Sequence, residues 1–171
     1  QSTYRIFCPH WKEVILLWLE QPEARVSKEQ KQEFIETLVD YKDRYQGENI
    51  FYTCTFLTAD CLVAAGLTEH KLYDIIRQQI VEIYLKSSYK LLREQAFETL
   101  KRFSKNCLIS VLEKEIEHDD KHICLRAVKA LGELATDQAL EVITNKYLND
   151  GENLIYIINA LINANNVKSI E

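Results

Sequence analysis

The sequence predicts an all-α fold, an α-solenoid of stacked antiparallel helix pairs with about nine or ten helices in one domain over residues 1–171. Three observations predict it. Only four Gly and two Pro punctuate 171 residues, too few turn formers for a sandwich or a doubly wound sheet. Apolar residues recur at helical spacing through nearly every segment, and no strand alternation competes with them. Finally, "LREQAFETL" at 92–100 is followed thirty-one residues later by "ICLRAVKAL" at 123–131, the same apolar half of a helix written twice.

The first helix runs through "PHWKEVILLWLE", with Pro9 suited to its first turn. Its apolar residues point in nearly every direction, so it is expected to have neighbours on several sides. Pro22 breaks the pattern. Ser27 then reads as an N-cap with Gln30 completing a capping box, ahead of a stripe of Phe34, Ile35, Leu38, Val39, Tyr41 and Tyr45. Gly47 is the expected C-cap. A third helix, about 51–65, is nearly all apolar or small and stops at Gly66. "KLYDIIRQQIVEIYLK" places Leu72, Ile75, Ile76, Ile80, Ile83 and Tyr84 on one face. The helix at about 89–103 pairs with "NCLISVLEKEIE", where Leu108, Ile109, Leu112 and Ile116 point inward. Asp119 and Asp120 are N-cap candidates for "KHICLRAVKALGELA", Asp137 opens "QALEVITNKYLN", and Gly151 precedes "ENLIYIINALIN".

The repeat extends past the motif. At the 31-residue offset Ala96 meets Ala127, Thr99 meets Ala130, Leu100 meets Leu131, Ile109 meets Leu140 and Leu112 meets Ile143. A step of thirty carries Ala130 to Ala160 and Leu131 to Leu161. A two-helix unit is therefore written three times, at 88–118, 119–149 and 150–171, the last incomplete. A looser version occupies 51–86, after an N-terminal helix pair at 1–50. One hairpin cannot bury its apolar face alone, so copies are expected to stack, with the repeated alanines letting helices approach closely.

These residues resemble the HEAT repeat family (HEAT/armadillo-like superhelices), in particular the short bacterial repeats called PBS-lyase-like. Their first helix reads apolar-Arg-x-x-Ala-x-x-Ala-Leu, followed by Gly-x-apolar, an acidic turn and Ala-Leu. "LREQAFETL" matches with Arg93 in place and Thr99 for the second Ala, and "LRAVKALGELATDQALEVI" matches through Gly132, Asp137, Ala139 and Leu140. The departure is Cys124 where Arg is usual, with Arg126 two residues later. The front of the chain, "FCPHWKEVILLWLE", "FIETLVDYKD" and "FYTCTFLTADCLVAAG", resembles a segment of large cyanobacterial NACHT-type signalling NTPases, where such a helix precedes HEAT-like repeats. That resemblance implies a sensor or scaffold part of a larger switch. The start at Gln1, the absence of Met and a last motif that stops mid-helix agree with a piece of a longer protein.

Composition narrows the function. With 21 Lys+Arg against 26 Asp+Glu the net charge is −5, which disfavours a nucleic-acid partner, since phosphate neutralisation asks for a basic field. The apolar run "VILLWL" at 14–19 is far short of the roughly 18–20 residues of a membrane span, and no signal peptide is visible. The five cysteines, at 8, 54, 61, 107 and 124, form no C-x-x-C pair and read as small buried hydrophobes of a cytoplasmic protein. The isolated glycines build no phosphate loop, and neither G-x-S-x-G nor H-E-x-x-H occurs. "EHDDKHIC", with His118, Asp119, Asp120, His122 and Cys124, could bind zinc but falls where an acidic turn between repeats is expected. "CPH" at 8–10 offers neither a lowered thiol pKa nor an oriented base, and Tyr41, Tyr45 and Tyr52 read as inter-helix packing.

No catalytic constellation, cofactor or metal is therefore expected, and the chain reads as a non-enzymatic scaffold for a protein partner or for other domains of its parent. The alternative is a bilin lyase or chromophore-handling protein, implied by the name of the repeat subfamily and by fold alone. The surface expected to work is the row of second helices. There Ser110 aligns with Glu141, Glu113 with Thr144 and Lys114 with Asn145, and Glu117 completes the candidate partner-binding face.

Overall fold

The computed structural model describes residues 9–44, 48–147 and the single position 162. All regular secondary structure among the described residues is helical, in eight helices. They are α1 (Pro9–Leu19), α2 (Lys28–Arg44), α3 (Glu48–Ala64), α4 (Lys71–Lys86), α5 (Lys90–Leu100), α6 (Lys105–Glu115), α7 (Lys121–Leu134) and α8 (Asp137–Tyr147). None of them is long and apolar enough to cross a membrane. The ninth and tenth helices expected from the sequence fall after residue 147, and the Gly47 cap, Cys8, the third repeat with Ala160, and the side chains of Tyr41 and Tyr45 likewise lie outside the described residues.

The chain forms two compact units, Gln1–Ile80 and Val81–Glu171, with the boundary inside α4. In the first unit α3 packs against both α1 and α2. Its apolar sequence is explained by that central place: Cys54, Ala59, Cys61 and Leu62 are fully buried, and Leu19 of α1 and Ile35 and Leu38 of α2 are buried in the same unit. The capping box forms as read, with the Ser27 N–H donating to Gln30 Oε1 at 2.9 Å and the Gln30 N–H to Ser27 Oγ at 3.3 Å. Gly66 ends the α3 segment with φ +66, a left-handed conformation that costs glycine nothing. One expectation is only half met: α1 buries Ile15 and Leu19, while Trp11, Val14 and Leu17 are 49%, 54% and 61% exposed.

α3 also carries a buried carboxylate. Asp60 forms an ion pair with Lys12 of α1, and its side chain is almost wholly enclosed. Beside it, burial first and the Asp60 charge second push the Cys61 thiol up to about 12, with Lys12 opposing them. Lys31, itself buried, donates to the Gln21 carbonyl at 2.7 Å and so satisfies an acceptor just past the end of α1.

In the second unit α7 packs against both α6 and α8, and α6 also touches α8. Three of the pairs thirty-one apart share their burial, since Ala96 and Ala127, Leu100 and Leu131, and Leu112 and Ile143 are all fully enclosed, whereas Ile109 is buried and Leu140 only half-buried. Thr99, which stands for the second alanine, is buried as well because its hydroxyl donates to the Gln95 carbonyl at 2.9 Å and leaves no unpaired donor. Asp120 is the cap of α7, its carboxylate accepting from the His122 N–H at 2.8 Å. α7 then ends without glycine: Ala135 adopts φ 51 and ψ 29, where a Cβ is disfavoured.

Candidate functional site

The residues expected to form a binding face lie on α6, just past its end, and on α8. Ser110, Glu113, Lys114 and Glu117 are exposed along or just past α6, and Glu141 and Asn145 along α8. Thr144 is only half-buried rather than outward, because its hydroxyl turns back to the Leu140 carbonyl at 2.6 Å and the Glu141 carbonyl at 3.1 Å. Ser110 likewise donates to the Cys107 carbonyl at 2.9 Å. Just past the end of α6, Glu117 forms an ion pair with Lys146 of α8. Lys146 was not among the expected residues, and its place directly after Asn145 offers no signal for the pairing.

The "EHDDKHIC" turn uses its polar atoms locally. The Asp120 N–H donates to His118 Nδ1 at 2.9 Å and the Asp120 carboxylate caps α7, so these groups are engaged in holding the turn. Among the described residues no three His, Cys, Asp or Glu side chains gather closely enough to hold a metal ion.

A second arrangement in this unit was not visible in the sequence. Two arginines converge on the end of α4. Arg93 of α5 donates through Nη1 to the carbonyls of Ser87 and Ser88, at 2.9 Å each. Arg126 of α7 donates through Nη1 to the Leu85 carbonyl and, at 3.3 Å, to that of Ser87. The last carbonyls of a helix have no intrahelical partner and carry the negative end of its dipole, so a guanidinium is the favoured cap. In return the Tyr84 hydroxyl donates to the Arg126 carbonyl at 3.2 Å. Burial, together with Glu133, raises the Tyr84 phenol above its ordinary range, while Arg126 and Arg93 pull the other way.

These anchors border a cleft of about 410 Å³ between the end of α4, α5 and α7. Tyr84 and Phe97, their rings tilted by 32° with centroids 5.3 Å apart, supply its aromatic lining. Lys90, Arg93, Arg126 and Lys129 supply four positive charges against three negative ones from Glu94, Glu98 and Glu133. Each of those carboxylates is matched to a lysine on or at the end of its own helix: Glu94 to Lys90 at 3.5 Å, Glu133 to Lys129 at 3.6 Å and Glu98 to Lys101 at 2.5 Å. A cleft of about 520 Å³ in the first unit is lined by Glu36, His70 and Lys71 among others, where Glu36 lies 3.6 Å from His70 Nε2 and 3.4 Å from Lys71. His70 Nδ1 accepts from the Leu72 N–H at 3.3 Å, so this imidazole also serves the start of α4.

Against this geometry, no protein-family model, curated protein or solved structure matches the chain.

Proposed function

We propose that the chain is a non-enzymatic helical-repeat scaffold for protein–protein recognition, with α5–α6 and α7–α8 as successive pairs of a HEAT-like solenoid. The observation that supports this reading is the agreement between repeat and burial: three residue pairs thirty-one apart, Ala96 with Ala127, Leu100 with Leu131 and Leu112 with Ile143, are fully enclosed, and α7 packs against both α6 and α8. The sequence offers no catalytic constellation for an enzymatic reading to build on, and the NACHT-like front of the chain favours a sensor or regulatory arm whose partner is another domain or protein. Partner capture is assigned to the α6 and α8 face, where Glu113 and Glu141 stand exposed on neighbouring helices.

The scaffold reading is tested by lengthening the array. A second copy of residues 119–149 is inserted after position 149, and the radius of gyration and helicity are measured by small-angle scattering and circular dichroism. A solenoid accepts the copy, gaining helix in proportion and growing along one direction. Loss of helicity or aggregation of the lengthened chain would count against it. For the recognition face, Glu113→Arg combined with Glu141→Arg is expected to weaken partner capture while leaving the far-ultraviolet spectrum unchanged. Undiminished capture removes this face from consideration.

A further inference from the structure

We propose that the cleft between the end of α4, α5 and α7 binds a short extended peptide segment through an acidic side chain, whose carboxylate is received by Arg93 and Arg126. The proposal takes up the recognition reading but puts the contact on the first helices of the pairs rather than the second. The two can therefore fail separately.

The argument begins with the arginines. Both reach the same Ser87 oxygen, at 2.9 and 3.3 Å, so their Nη1 atoms lie within about 6 Å of each other. Each spends only Nη1 on backbone carbonyls, and the Nε and Nη2 donors of both make no hydrogen bond within the described residues. A guanidinium held in this way has already lost its rotamer freedom, so a ligand would gain its hydrogen bonds without the usual ordering cost. Two fixed cations side by side also repel one another, and a planar carboxylate placed between them relieves that repulsion while accepting from both.

The remaining lining selects the rest of the ligand. Glu94, Glu98 and Glu133 do not compete for the arginines, since each is matched to a lysine. Their free lone pairs suit the N–H donors of a peptide main chain. A bare anion would use the arginines and leave those acceptors idle. Tyr84 and Phe97 offer an apolar surface for an aliphatic stem, such as the methylenes of glutamate. A volume of about 410 Å³ is at the small end of ligand pockets, enough for a few residues of an extended chain.

The test uses the full chain and a fluorescein-labelled hexapeptide of sequence Gly-Ser-Glu-Glu-Ser-Gly, followed by fluorescence anisotropy at about 50 mM salt. The glutamine counterpart of the peptide is expected to bind at least tenfold more weakly. Arg93→Gln is expected to weaken the acidic peptide about tenfold. Because both arginines also support the fold, their roles are read as well from Arg93→Lys and Arg126→Lys, which keep a cation near the carbonyls but lose the planar fork, with several-fold weakening expected from each. Glu98→Gln should tighten binding about threefold, an effect no loss of folding can imitate. Glu113→Arg with Glu141→Arg should leave this affinity unchanged even where partner capture is lost. The proposal is overturned if the acidic and amide peptides bind alike, or if Arg93→Gln and Glu98→Gln both leave the affinity where it was. Displacement of the peptide by inorganic phosphate, at an ionic strength where acetate and chloride do not displace it, would overturn the carboxylate assignment.

Discussion

Replacing Arg126 by methionine removes a charge but keeps most of the side chain's packing volume, so it isolates the cap on α4. The residue is half-buried and donates to two carbonyls, those of Leu85 and Ser87. Hydrogen bonds from a charged donor contribute about 1.5–3 kcal/mol each when well shielded. Partial exposure and the 3.3 Å length of the Ser87 contact reduce this, giving a combined loss of about 2 kcal/mol. For a chain of this size that corresponds to roughly 4–8 °C in Tm. Arg93→Met should cost about as much. The informative quantity is the double variant. Ser87 keeps a guanidinium after either single change, but Leu85, Ser87 and Ser88 all lose theirs when both are made. The double loss should therefore exceed the sum of the single losses by about 0.5–1 kcal/mol. Trp11 and Trp18 both lie in the first unit, so intrinsic fluorescence is a poor reporter here. Urea unfolding followed at 222 nm, with amide exchange on peptides from 81–134, reads the right region. Strict additivity, or a cost for Arg126→Met below about 0.5 kcal/mol, would refute the shared-cap reasoning.

Other expectations are quicker to state. Gly66→Ala should destabilise by about 1 kcal/mol through its left-handed backbone alone, because a Cβ there would meet nothing within 4 Å; a much larger loss in thermal melts would mean a clash that the geometry does not contain. Ala135→Gly should stabilise by up to about 1 kcal/mol for the converse reason, less the entropy glycine adds to the unfolded chain. Leu131→Ala, at a site with no exposure, should cost about 2–5 kcal/mol in urea titrations. Cys61 should resist a thiol reagent at a pH where Cys107 reacts, since the buried thiol holds its proton up to about 12 while Cys107 is exposed. The sign of the linked stability follows: the folded state holds the Cys61 proton more tightly than the unfolded chain, so this contribution is intact below 9.0 and declines as pH rises from there toward about 12. Cys61→Ala should flatten that part of the alkaline stability profile.

What the sequence made legible was local. The Ser27–Gln30 box, the Asp120 cap and the Gly66 stop each involve residues within a few positions, where backbone geometry fixes which side chain meets which amide. The repeated alanines were legible for a different reason: close helix approach admits only small side chains, so the constraint is written in residue size at a fixed interval. The arginine anchors were not legible. Arg126 meets carbonyls 41 and 39 residues earlier, and nothing in the local pattern distinguishes it from a solvated helix charge. It lies two residues past the position where the repeat pattern would place an arginine, yet it shares the Ser87 carbonyl with Arg93. The Lys12–Asp60 pair was hidden in the same way, since a lone aspartate in an apolar helix does not reveal which neighbouring helix will supply its cation. Ala135 shows the limit of punctuation rules, for the α7 end takes glycine's conformation without glycine.

The double clasp on Leu85, Ser87 and Ser88 bears on how such a chain can change length over generations. The α4–α5 connection is only three residues, 87–89, and two of its carbonyls are already committed to side chains from two different helices. A single inserted residue there would turn those carbonyls away from both arginines at once. In the turn between α6 and α7 the backbone contacts of His118 and Asp120 are made within a few residues, and the Glu117–Lys146 pair joins two exposed side chains, so the same insertion is absorbed more gently. Lineages of this protein should therefore gain and lose single residues at 117–119 and rarely at 87–89.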